Sequence, residues 1–422
     1  MKKKSNHTKN SNWQKRLQEK FNIQLSLDLI NWFDNDMWQN ISHGIFVEFV
    51  SPETLIDSSS NIIAGGLHLP DTLPIAGNGC GDDLLIRFAT DGSIKEIIQW
   101  SHEGGSWIPW GKSFSEALLF DSVKSHSDNA NAEYYSNEEN EWLLEWVLKW
   151  AIPEPQRRIE IRQLFDKDIS AIVPLLIKLN LCEVACIEFM IENCLSNPLR
   201  IKCMEIGGQT ICDEIGMKWK EMEIGLKDPS ILSEHDRKII AQYLRISVEE
   251  LVTMDWSGAA SWVEKITALR SDIAWPFLIL KKNAEKNNNM ALAAKYFESE
   301  MKAMQSTYDY PYDWLSYPFP HRQSFQQYEE YLKDSPSIDL IKKKVEQQAR
   351  NYWIDEAERA ERKGDYASAY SCWYAAGWDQ YFSNDIPMIL ERLVKAAHSA
   401  GFSSLEKIAE HHLSDALKNM QF

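Results

Sequence analysis

Three glycines at alternate positions, Gly77, Gly79 and Gly81, run straight into the acidic pair Asp82-Asp83 and then into an apolar run, Leu84 to Phe88. Glycine adopts positive φ without steric cost, so this spacing predicts a tight bend, with Asp82 accepting backbone N–H bonds inside it. A phosphate cradle needs the opposite order, because a phosphate-binding glycine loop follows a strand and opens a helix. Asp91-Gly92 then separates Leu84–Phe88 from a second apolar run, Ile94–Trp100, as a hairpin does. Ile45 to Val50 and Asn61 to Leu67 read as two further short strands. Upstream, Trp13, Leu17, Phe21, Leu25, Leu29 and Phe33 recur at every fourth position, the pattern of one or two amphipathic helices covering a sheet. A short helix from Phe114 to Asp121 closes a small α+β unit over residues 13–124.

A chain of 422 residues exceeds one ordinary core. Residues 1–12 are polar, basic and aperiodic, which predicts a disordered tail. Residues 125–139, rich in Ser, Asn and Asp, have the composition of a linker. Over 140–422 no alternating strand pattern is visible, whereas Trp142, Trp146 and Trp150 fall at helical spacing and similar runs follow, so this part is expected to be all-α. Inside it, Ala284, Glu285, Met290, Ala291, Ala293 and Phe297 match Ala360, Glu361, Tyr366, Ala367, Ala369 and Trp373 at an offset of 76, which suggests paired helical hairpins. The second copy resembles a tetratricopeptide unit through Trp353, Ala357, Gly364, Tyr366, Ala369, Trp373 and Ala376. The first copy has Asn288 where that turn has Gly, and the Pro expected after the second unit is missing. Two arrangements therefore stay open for 277–422: hairpins stacked as a short solenoid, or an irregular helical domain. The aromatic and Pro-rich stretch from Tyr308 to Arg322 reads as a loop, either packed over the helices or presented as a contact surface.

The net charge of −17 argues against nucleic acid and for a cationic partner. Between Phe21 and Ser125 there are 14 Asp and Glu against four Lys and Arg, a balance of −10. No apolar run approaches the roughly 18 residues of a membrane span, and Lys2, Lys3, Lys4 and Lys9 lead into polar sequence instead of a signal core. With seven cysteines, an odd number, the expected location is the reducing cytoplasm. His102, Glu103, Asp82 and Asp83 could share a metal only if two turns met, and their spacing does not demand it. His411-His412 diverge on a helix, Cys182 to Cys212 contain no Cys-x-x-Cys pair, and neither a nucleophile elbow nor a Walker sequence is present. No catalytic residue, metal or cofactor is expected.

The order Gly77, Gly79, Gly81, Asp82, strand, Asp91-Gly92, strand ending in Trp100-Ser101-His102-Glu103, and helix begun by Ser113-Phe114 resembles the SUKH superfamily. That resemblance implies an α+β domain that binds proteins. The superfamily includes fungal regulators of cell-wall synthesis and bacterial immunity proteins that neutralise toxins, often nucleases. Its structural motif falls here on Gly77, Gly79, Gly81, Asp82, Gly92, Trp100 and His102. Under this reading an acidic domain masks a basic toxin or nuclease surface, and the carboxylates expected to do so are Asp34, Asp36, Asp71, Asp82, Asp83, Asp91, Glu96 and Glu103. A regulatory scaffold joining two protein clients is the alternative, and a metal-dependent hydrolase ranks last.

Overall fold

A computed structural model of the chain describes residues 12–39, 41, 44–57, 62–102, 107–128, 138–167, 171–195, 209–219, 221–222, 225, 232–252, 255–303, 321–345, 349–378 and 384–419. The expected tail up to Ser11, most of the linker, and the aromatic loop up to Pro320 lie outside them. The chain divides into two compact units: residues 1–186 with 350–422, and residues 187–349.

The first unit is built on a five-stranded antiparallel sheet in the order β1 (Glu48–Phe49), β2 (Thr72–Gly77), β3 (Asp83–Phe88), β4 (Ile94–Trp100), β5 (Trp107–Gly111). Helices α1 (Trp13–Phe21), α2 (Leu27–Asp34), α3 (Pro52–Ile56) and α4 (Phe114–Asp128) complete the α+β module. The third and fourth expected strands form as read. Ile45–Val50 shrinks to a two-residue edge strand, and Asn61–Leu67 is not a strand among its described residues. The strands that pair instead, β2 and β5, each contain a proline. Proline removes a ladder donor and so masks a strand in the sequence, but Pro74 sits beside a register shift and Pro109 lies on the edge strand, where that donor is dispensable. Helix α4 runs on past Asp121 to Asp128, absorbing the first residues of the expected linker.

Strand register sorts the side chains. Leu84, Ile86 and Ile97 share the face toward α4, where Trp110 meets Phe120 edge-on at 5.2 Å. At the start of α4, Asp28 accepts from the Ser115 N–H at 2.8 Å, a carboxylate placed at the positive end of the helix. The opposite face carries Leu85, Arg87, Glu96, Ile98 and Trp100. It is covered as well, which is why the strands read as nearly continuous apolar runs instead of alternating.

The cover comes from the far end of the chain. After α5 (Glu138–Ala151), α6 (Pro155–Lys167), α7 (Ile172–Lys178) and α8 (Glu183–Leu195), the first unit resumes with four C-terminal helices. These are Ala349–Arg362, Tyr366–Ala376, Ile386–Ala400 and Ser403–Asn419. Tyr374, His412 and Asp415 reach Arg87, the Thr72 carbonyl and the Gly65 N–H. The second unit is helical throughout its described secondary structure, and one of its cores joins Phe297, Met301, Tyr328, Leu332 and Ile341.

The repeat seen in the sequence recurs in local geometry. In one copy the Asn289 and Asn288 N–H groups donate to Ala284 and Glu285 carbonyls at 2.9 Å each; in the other, Asp365 and Gly364 donate to Ala360 and Glu361 at 3.0 and 2.9 Å. Asn288 (φ 57) and Gly364 (φ 72) both take the left-handed conformation. Asparagine is the next-best residue there after glycine, so Asn288 preserves the turn. Asn289 and Asp365 then cap the following helices, accepting from the Leu292 and Ser368 N–H groups.

Candidate functional site

The bend after β2 is held by Asn78. Its Oδ1 accepts from Cys80 and Asp82 N–H groups at 2.8 and 3.0 Å, and its Nδ2 donates to Asp82 Oδ2 at 2.8 Å. The role expected of Asp82 inside the bend thus falls to Asn78. Asp82 reaches the neighbouring turn, where Oδ1 accepts from His102 N at 3.1 Å and lies 2.9 Å from His102 Nδ1. Gly79 and Gly81 have φ of 73° and 108°, and a Cβ on Gly81 would sit 2.9 Å from the His102 ring. Asp83 lies 2.9 Å from His68 Nε2. Because His68 Nδ1 accepts from the Ala64 N–H, Nε2 is the protonated nitrogen and donates to Asp83. Exposed Glu48 on β1 flanks Gly79, so three carboxylates gather at this end of the sheet.

The eight carboxylates named from the sequence do not form one surface. Asp91 is exposed in the turn beyond the opposite end of β3, a strand whose five steps of roughly 3.4 Å span about 17 Å. Hydrogen bonds from the Ser93 hydroxyl and N–H hold its carboxyl below the ordinary value. Asp34, the last residue of α2, and Asp36 just after it are exposed, Asp34 accepting from Trp13 Nε1 at 3.2 Å. Glu103 lies outside the described residues. Gly92 is buried: its added Cβ would stand 2.6 Å from the Asn22 carbonyl oxygen, so close approach as well as its φ of 82° requires glycine.

Asp71 and Glu96 correct the sequence reading most. Both are buried around Arg87, which donates NH2 to Asp71 at 2.9 Å and NH1 to Glu96 at 2.8 Å. The Tyr374 hydroxyl donates to Asp71 at 3.0 Å and accepts from Arg87 at 3.0 Å. The guanidinium lies 4.8 Å from the Trp107 ring centre. Burial opposes the charge on Arg87, yet Asp71, Tyr374 and Glu96 together raise its pKa well above the usual value. Burial also raises the Tyr370 and Tyr374 hydroxyls, which stay protonated.

Among the other reactive side chains Cys182 and His412 are buried and His411 partly so, whereas Cys80 in the bend is exposed. Burial raises the Cys182 thiol, whose Sγ lies 3.0 Å from the Glu116 carbonyl oxygen. Burial lowers His411 to about 4 and His412 to about 3; the first meets Phe21 edge-on, the second donates Nε2–H to the Thr72 carbonyl. The arrangement offers charge and hydrogen-bond recognition at its rim and a locked ion cluster inside. Asn78, His68, Arg87 and Tyr374 were missed by the sequence reading. A signal existed for Arg87: it and Glu96 are symmetric about Asp91-Gly92, as a cross-strand pair must be.

The five-stranded antiparallel sheet backed by helices, with its glycine-rich bend at one end, forms an α+β module. Residues 12–119 match the SMI1 / KNR4 family (SUKH-1), the match ending inside α4. No curated protein and no solved structure matches the chain. SUKH domains are known in toxin-immunity and cell-wall regulation families and are generally non-catalytic, which supports a protein-binding role. Among the described residues no helix is long and apolar enough to cross a membrane.

Proposed function

We propose that this protein is a non-catalytic binder of toxin-immunity type whose N-terminal module engages a basic protein surface through its exposed rim carboxylates. The observation that carries this reading is the SUKH-1 match over a module whose Asp34, Asp36 and Asp91 face solvent, with Asp82 half-buried at the rim. Nucleases hold phosphate with Lys and Arg, so carboxylates on a rigid frame compete for the same groups. The odd number of cysteines, seven, supports a cytoplasmic site of action.

The test is affinity capture by the full chain of the protein encoded by the adjacent gene, alongside a variant with Asp34, Asp36, Asp82 and Asp91 changed to Asn. Capture by the wild type, weakened at least tenfold in the variant, supports the reading. Absence of binding, or equal binding by both, counts against it. A regulatory scaffold is favoured by one observation, a second compact unit at residues 187–349 beyond the family match. Two different clients captured independently by the two units would establish that alternative.

A further inference from the structure

Charge is divided along this chain in a way that the acidic rim alone does not use. Residues 1–20 hold seven Lys and Arg against the single Glu19, a balance of +6, directly ahead of the acidic stretch from Phe21 to Ser125. Four of these cations, Lys2, Lys3, Lys4 and Lys9, stand in residues 1–11, where there is no Asp or Glu. That leading segment lies outside the described residues, but its point of attachment is among them.

Asn12 stands exposed at the N-cap of α1, its carbonyl accepting from the Arg16 N–H at 3.0 Å. The next residue, Trp13, is fixed against the rim. Its ring meets Phe33 edge-on at 5.2 Å, and its Nε1 donates to Asp34 at 3.2 Å. Asp36 follows in the turn after α2, exposed and left-handed at φ 53°, and its carboxylate has no ion pair or side-chain hydrogen bond among the described residues. Asp91 lies beyond the other end of α1, its carbonyl accepting from Gln24 Nε2 at 3.4 Å. The nine residues of α1 rise only about 13 Å, whereas eleven residues of chain reach as far as about 36 Å. The lysines are thus tethered beside Asp34 and Asp36 with length to spare. Tethering at this range gives an effective concentration in the millimolar range, so even a weak pairing of ammonium with carboxylate is substantially occupied. An anion free in solution, lipid or nucleic acid, has no such advantage.

We infer that Lys2, Lys3, Lys4 and Lys9 act as an intramolecular competitor that occupies Asp34 and Asp36 in the unbound chain and is displaced by a basic protein surface. This rests on the acidic-binder reading above and adds regulation to the same rim. The competitor filters partners. A diffusely basic protein loses to the tethered lysines, whereas a surface with more cations, or better-placed ones, wins.

Binding of a labelled oligolysine peptide to the full chain tests this at about 0.1 M salt, where charges more than about 10 Å apart are largely screened. The variant Lys2→Gln/Lys3→Gln/Lys4→Gln/Lys9→Gln should bind about threefold tighter than wild type or better. Adding Asp34→Asn and Asp36→Asn should abolish that gain. A control with the same change of net charge at exposed positions of the second unit, Lys238→Gln/Lys295→Gln/Lys302→Gln/Lys333→Gln, should bind as wild type does. Equal binding by wild type and the leading-segment variant refutes the competitor while the rim reading survives. An equal gain in the control also refutes it, because net charge alone then suffices. If neither the wild type nor the leading-segment variant binds the peptide, the acidic-binder reading falls and the competitor with it. Zero-length carbodiimide cross-linking of the wild type gives a direct readout. Within single chains, the four lysines should couple to Asp34 or Asp36 in preference to other carboxylates, and excess oligolysine should suppress that coupling. Coupling spread evenly over the carboxylates, or formed mainly between chains, overturns the inference.

Discussion

Replacing Arg87 by methionine removes the cation from a cluster whose carboxylate side chains, Asp71 and Glu96, are only 7% and 6% exposed. The methionine stem fills much of the same space, so the change isolates charge from volume. Breaking a buried pair by deleting one partner costs about 3–5 kcal/mol, because the remaining charge keeps its desolvation penalty without its compensation. Here two carboxylates lose one shared partner, and Tyr374 can still donate to Asp71. A loss of about 4 kcal/mol is therefore expected, a large share of the 5–15 kcal/mol that stabilises ordinary domains. With a urea dependence of about 3 kcal/mol/M, the midpoint for the first unit falls by about 1.3 M. Tryptophan fluorescence follows the transition as a signal summed over the chain's 17 tryptophans, to which Trp107 under the guanidinium contributes. Neutralising the cluster as a whole, Arg87→Met with Asp71→Asn and Glu96→Gln, should recover most of the loss, as replacing an entire buried ion network often does. The reasoning is refuted if Arg87→Met alone shifts stability by less than about 0.5 kcal/mol, well below the cost of a broken buried pair, or if the neutral triple variant is less stable than the single one.

Three further outcomes follow from buried groups and one close approach. In the second unit, burial lowers Lys344 from 10.5 to about 7, with Glu300 acting in the opposite direction; its Nζ donates to the Ala303 carbonyl at 2.8 Å. The unfolded chain holds that proton more tightly, so this contribution to stability is full above 10.5, is lost as pH falls to about 7, and amounts to at most about 5 kcal/mol. Lys344→Met should accordingly melt higher than wild type at neutral pH, with the difference narrowing toward pH 10 in thermal scans. Burial raises Asp121 from 3.8 to about 7 despite its bonds from Ile45 and Phe46 N–H groups, and Lys124 only partly opposes this. Its contribution is present below about 4 and is lost as pH rises through 7, so Asp121→Asn, which keeps the acceptor, should gain stability over wild type above pH 7 and none near pH 4. Gly92→Ala should cost about 2 kcal/mol or more in chemical denaturation, because the left-handed backbone and the Asn22 contact both reject a side chain, whereas Gly401→Ala, left-handed but open, should cost about 1 kcal/mol.

The parts of the fold legible in the sequence are those governed by short-range rules. The glycine bend, the Asp91-Gly92 hairpin, the spacing of Trp13 to Phe33 and the start of α4 at Phe114 all form as the residues dictate. Strands β2 and β5 were illegible because Pro74 and Pro109 look like breakers unless edge position and register are known. The candidate site was legible as chemistry and misread as geometry. A local charge balance of −10 suggests an acidic surface, but Asp28, Asp71, Glu96 and Asp121 are buried. Only tertiary contact decides that Asp71 faces Arg87 and Tyr374, because Tyr374 lies 303 residues away in sequence. The same holds for the cover. Nothing in the helical periodicity of Ile386–Ala400 says that its hairpin closes a sheet made by the first third of the chain.

The most direct test of an electrostatically steered binder is the association rate of the full chain with the protein encoded by the adjacent gene, followed by stopped flow as salt is raised. The account predicts that the rate falls at least tenfold between about 0.05 and 0.5 M salt, as the screening length shrinks to a few ångströms, with dissociation little changed. It predicts that the Asp34, Asp36, Asp82 and Asp91 to Asn variant begins at the slow limit and loses most of that salt dependence. An association rate indifferent both to salt and to these four substitutions would contradict it.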